Sequence, residues 1–92
     1  MMKPPSLLDG AEVRYWAWSE SPPFFDMPNG DTGIPIHGLA VCQYPNGAVY
    51  RFSCNAAWEV ENDSPHDSIA GALGAPSAQY QIDQVVWHES DR

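Results

Sequence analysis

The chain has 92 residues, with twelve acids against four bases and a net charge of −8. That length suits one domain, in which folding buries roughly 64% of the unfolded surface, enough for one core with little spare. Four Lys and Arg residues make a poor phosphate-binding face, which speaks against direct nucleic-acid or anionic-membrane binding. No apolar run approaches the roughly 18 residues of a spanning helix.

Hydrophobic residues are 43% of the chain and aromatics 12%, a composition that folds. Nine prolines and seven glycines predict short elements and long loops. Residues 1–11 read as a flexible tail, and 12–92 as one domain. With Lys3 and only the Leu7-Leu8 pair, the tail lacks the apolar stretch of a secretory leader, so the expected setting is cytoplasmic.

Glu12 to Glu20 reads as a first strand, with Val13, Tyr15 and Ala17 on one face and Arg14, Trp16 and Trp18 on the other. Residues 21–33 hold three prolines and two glycines and read as a structureless loop. Loops of this length often act as lids or binding segments. Within it, Phe24 and Phe25 are either partner anchors or a flap over the core.

Tyr44-Pro45-Asn46-Gly47-Ala48 reads as a hairpin turn between strands 34–44 and 48–60. A three-residue loop pairs Tyr44 with Ala48, Cys42 with Tyr50, Ala40 with Phe52 and Gly38 with Cys54. A one-residue slip would mix Arg51 and Ser53 into the apolar face. From Tyr50 to Glu61 the alternation is unbroken, with Tyr50, Phe52, Cys54, Ala56, Trp58 and Val60 on one side. Such a strand would span about 40 Å, twice the usual length, so a bend or bulge is expected near Asn55-Ala56-Ala57.

Ser64 before Pro65 reads as a helix cap followed by proline in the first turn, with Ile69, Ala70, Ala72 and Leu73 as the apolar stripe. Gly74 and Pro76 close the helix. Gln79 to Glu89 reads as a last strand. The expected fold class is therefore α+β: a single antiparallel sheet of about four strands, in the order β-β-β-α-β, with one short helix packed on one face.

The candidate chemistry is sparse. Cys42 and Cys54, the only cysteines, are offset by about 13 Å in this register, beyond disulfide reach, and read as buried free thiols. His37, His66 and His88 show no metal-ligand spacing. Asp26, Asn29 and Asp31 flank glycines without the spacing of a calcium loop, as ordinary turn residues do. There is no nucleotide-binding glycine loop or nucleophile elbow. No catalytic, cofactor-binding or metal residue is assigned, and no cofactor is expected.

The charge is unevenly spread. Glu59, Glu61, Asp63 and Asp67 place four of the twelve acids in nine residues, whereas 34–58 holds one arginine and no acid. Glu59, Glu61 and Asp63 are expected on one strand face, which would steer and dock a basic protein. The plain alternative is a solvated face. The function read from these features is a small acidic protein-interaction or regulatory module, inhibitor- or immunity-like in general character. Its partner-binding residues would be Glu59, Glu61, Asp63, Asp67, Phe24 and Phe25. The alternative is a small enzyme or ligand-binding domain with a pocket under the 21–33 loop.

Overall fold

A computed structural model describes residues 2–74, 80 and 85–90. The elements in chain order are β1 (Leu7–Leu8), β2 (Ala11–Trp18), β3 (Phe25–Asn29), β4 (Thr32–Ile36), β5 (Gly38–Gln43), β6 (Val49–Cys54), β7 (Val60–His66), α1 (Ile69–Gly74) and β8 (His88–Glu89). Strands make up 51% and helix 8% of the described residues, so the structure is mostly sheet and the α+β assignment is corrected. In place of a single four-stranded sheet there is a curled sheet, ordered β1-β2-β5-β6-β7 with β8 also on β2, plus a separate β3-β4 ribbon. Among the described residues, no helix is long and apolar enough to cross a membrane.

The β5–β6 hairpin has the register read from the alternation: Cys42 opposite Tyr50, Ala40 opposite Phe52 and Gly38 opposite Cys54. Its turn closes through Gly47 N–H to Tyr44 O and Tyr44 N–H to Ala48 O, both 2.9 Å, with Gly47 at φ +93°. The segment read as a tail contributes β1, which pairs with Glu12 and Ala11 and buries Leu8.

Three readings of the chain's path need correction. The reading of residues 21–33 as a structureless loop fails from Phe25 on, since β3 and β4 pair from Phe25–Ile36 to Asn29–Thr32 around Gly30-Asp31, with Gly30 at φ +63°. Alternation of pair types down this ladder puts Pro28 and Pro35 at non-hydrogen-bonded positions, where a missing N–H removes no bond. The long alternating strand is two strands, for the chain reverses between Cys54 and Val60 where a bend was expected. Ser64-Pro65 is no helix start: β7 runs through both, with Pro65 opposite Tyr50 on an edge strand that tolerates it. The cap lies four residues on, where the Ser68 hydroxyl accepts the Gly71 N–H at 2.9 Å. Of the last strand expected over 79–89, residues 79 and 81–84 lie outside the described residues, and β8 forms at its end.

Two irregularities decide which side chains face which way. The β2–β5 register shifts between Val13 and Tyr15. Val13 therefore joins Trp16 on the inner face, while Tyr15 and Ala17 turn outward, and the single-face assignment of Val13, Tyr15 and Ala17 fails. The inner core consists of the sheet's own side chains and the turn after β6: Leu8, Ala11, Val13, Trp16, Ala40, Cys42, Phe52, Cys54 and Trp58. The outer face is covered twice. The β3-β4 ribbon lays Phe25, Ile36, Met27 and Ile34 over Ala17 and Leu39, and α1 lays Ala72, Ile69 and Leu73 over Val41 and Val49.

Candidate functional site

The turn from Asn55 to Glu59 is organised by one side chain. Asn55 Oδ1 accepts the N–H groups of Ala57 and Glu59 at 2.9 and 3.0 Å. Its Nδ2 donates to Glu59 Oε1 and Glu61 Oε2, both at 2.8 Å. An asparagine here satisfies the turn's backbone donors and also holds two carboxylates side by side.

A second register shift, between Ser53 and Cys54, leaves Glu61 as the unpaired residue opposite them. Val60 and Asp63 then share the inner side with Cys54 and Phe52. The expected common face of Glu59, Glu61 and Asp63 is thus corrected: Glu59 lies in the turn, Glu61 at the bulge, and Asp63 at the inner rim. Asp67 follows the end of β7 and is exposed. Among the described residues none of these four carboxylates is ion-paired. All four lie on or beside β7, an edge of the main sheet.

Phe24 and Phe25 are 2% and 4% exposed. They pack in the outer core, where Phe25 stacks on Tyr80 at 5.7 Å, and offer no surface to a partner in this conformation.

The β1–β2 and β5–β6 turns meet at one end of the main sheet, where Leu7, Glu12 and Gln43 are in register with Val49 on the outer face. A cavity of about 330 Å³ there is lined by Leu7, Gly10, Glu12, Gln43, Tyr44 and Pro45. Tyr44 and Tyr50 stand edge to face beside it, 5.6 Å apart at 88°. Burial, then the Asp9 carboxylate, Tyr50, Asp63 and Cys42 push the Tyr44 phenol up. Sequence reading missed this electrostatic influence because Asp9, Tyr44 and Asp63 are far apart in the chain. A second cavity, of about 310 Å³, lies between the N-terminal segment and β8, with Trp16 and His88 in its wall. Neither cavity lies under residues 21–33.

The thiols of Cys42 and Cys54 are fully buried and free. Burial above all pushes both up to about 12, which removes the thiolate that nucleophilic or metal chemistry needs. The histidines are engaged separately. His37 Nδ1 lies 2.7 Å from Ser19 O, His66 Nε2 lies 3.2 Å from Ser64 Oγ, and His88 stacks on Trp16 at 4.6 Å. Burial and Arg51 lower the His66 imidazole, against Asp67, which raises it. Among the described residues no three His, Cys, Asp or Glu side chains converge as metal ligands.

Comparison with protein-family models, with curated proteins and with solved structures finds no match.

Proposed function

We propose that the chain is a small acidic protein-interaction or regulatory module that offers the β7 edge to a basic protein partner. The observation that carries this reading is the Asn55 amide, which holds the Glu59 and Glu61 carboxylates on either side of one nitrogen at 2.8 Å. Like charges held close repel one another, and here no base among the described residues relieves them. Such a field attracts a cationic surface and is relieved when one arrives. Two buried, unpaired thiols in the core support a reducing compartment, and we place the protein in the cytoplasm on that ground.

The test is affinity capture from the native cell, followed by binding kinetics with Glu59→Gln/Glu61→Gln/Asp63→Asn. The triple variant is expected to associate more slowly, and wild-type association to slow as salt rises, because rim charges act mainly on encounter. Unchanged rate and affinity would reduce the acidic edge to a guard against strand pairing, a known use of charge and proline at sheet edges.

A further inference from the structure

Two Asn-Gly pairs sit in exposed turns, Asn29-Gly30 between β3 and β4 and Asn46-Gly47 between β5 and β6. Such a pair can react with itself, since glycine has no Cβ to keep its amide nitrogen from the asparagine side chain. Exposure does not separate the two, and neither glycine has a neighbour within 4 Å of where a Cβ would lie. Hydrogen bonding does separate them. Gly47 N–H donates to Tyr44 O at 2.9 Å, and Asn46 Oδ1 accepts the Ala48 N–H at 3.0 Å. Nucleophile and electrophile are both held there, and ring closure would cost both bonds. At the other turn, neither the Asn29 side chain nor the Gly30 N–H has a hydrogen-bond partner among the described residues. The Thr32 hydroxyl donates to Asn29 O at 3.0 Å, and a donor on that carbonyl favours loss of the Gly30 amide proton.

We propose that Asn29 is a site of deamidation through a cyclic imide, with water as the only co-reactant, and that the isoaspartyl product opens the turn end of the β3-β4 ribbon. The Gly30 nitrogen attacks Asn29 Cγ, the Cγ–Nδ2 bond breaks, and Nδ2 leaves as ammonia with the amide proton. Water then opens the imide. Attack at Cγ gives aspartate. Attack at the main-chain carbonyl carbon gives isoaspartate, whose backbone runs through Cβ and Cγ. No electrons are gained or lost. Either product adds a carboxylate to a chain already at −8. Isoaspartate also adds one backbone atom in a ladder whose register needs Asn29 opposite Thr32. Phe25 and Ile36 keep the other end of the ribbon in the outer core.

The experiment holds the whole native chain in mildly alkaline buffer, with the same chain in urea as the unfolded reference. Digestion with pepsin in acid and tandem mass spectrometry locate each amide-to-acid change and separate aspartate from isoaspartate. In the native protein Asn29 is expected to react at least about tenfold faster than Asn46, the factor that two net hydrogen bonds supply. In urea the two rates should converge, because the turn bonds are gone and both asparagines stand between proline and glycine. Asn29→Gln, which would have to close a larger ring, should abolish the early change in mass. The isoaspartyl form, isolated by ion exchange, should lose amide protection at Met27 and Ile34 and keep it in β5 and β6. Equal native rates at Asn29 and Asn46, or an Asn29 that reacts only in urea, would overturn the site. Unchanged protection at Met27 and Ile34 would overturn the opening of the ribbon.

Discussion

The benzo ring of Trp58 rests on the main chain of Gly38, so closely that a Cβ there would lie 2.6 Å from Trp58 Cζ3. Trp58 reaches this position from a left-handed backbone, φ +62°, at the end of the Asn55 turn. It packs against Trp18 at 5.5 Å and Trp16 at 6.4 Å. Its indole nitrogen is buried with no hydrogen-bond partner among the described residues, and the ring is held by apolar packing there. Gly38→Ala should therefore destabilise by about 1–3 kcal/mol through overpacking, read as a lower urea midpoint. Trp58→Ala should lose about 3–5 kcal/mol, as large-to-small core changes do. Trp58→Phe should lose clearly less, because it also removes a donor whose unpaired burial costs about 1–3 kcal/mol. A Gly38→Ala midpoint equal to wild type would show that the ring can move aside.

Asn55→Ala removes every bond that the side chain makes in the turn and leaves the two carboxylates without their shared donor. The turn is open to water, so the freed groups rehydrate and the loss should stay near 1–2 kcal/mol. Asn55→Asp should be worse at low salt, since a third carboxylate replaces the donor. Raising ionic strength from about 0.01 to 1 M should narrow the gap between the two variants, because screening shortens the reach of repulsion. Thermal unfolding at the two salt concentrations measures this, and a salt-independent gap would mean that charge is irrelevant there.

The raised thiols set a direction for alkaline stability. Burial holds native Cys42 and Cys54 near 12, while unfolded thiols ionise at about 8.5. Below that point both states are protonated and the thiols add no pH dependence. Above it the native state binds more protons, so stability falls as pH rises toward 12. Tyrosines ionise in the same range, so the comparison is with Cys42→Ala/Cys54→Ala, whose stability should decline less steeply. Both thiols should also react slowly with a thiol reagent until the protein unfolds, and rapid labelling of the native protein would contradict their burial.

The parts of this fold that were legible in sequence are those in which local pattern and tertiary environment agree. The Pro45-Asn46-Gly47 hairpin is one, because the turn residues and the segregation of Arg51 and Ser53 from Phe52 point to a single register. The α+β assignment failed where one signal served two structures. Ser64-Pro65 fits a helix start and equally an edge strand, and only the pairing of Pro65 with Tyr50 decides. Period two across residues 50–61 cannot reveal a reversal whose turn contains the left-handed Trp58, a bulky residue in a conformation usually left to Gly, Asn or Asp. The acids at 59, 61 and 63 were visible as a cluster. The bulge that sends Asp63 to the inner rim was not, because one extra residue in a strand leaves no mark on composition.

Phe25 separates a core residue from a binding residue, which its position among prolines did not. In the structure its ring lies in the outer core with Ala17, Phe24, Ile36 and Leu39, stacked on Tyr80. It also heads the β3-β4 ladder, opposite Ile36. Phe25→Ala should then lose about 3–5 kcal/mol, a large share of a small domain's stability, and loosen the ribbon from the sheet. Hydrogen exchange should show the effect locally, with amides of residues 25–36 losing protection before those of β5 and β6. Met27→Ala, which empties a half-buried position further along the same ribbon, should follow the same pattern with a smaller loss. If Phe25→Ala unfolds at the wild-type urea concentration, and its ribbon amides exchange as in wild type, the ring contributes nothing to the core. A surface role for Phe24 and Phe25 would then return.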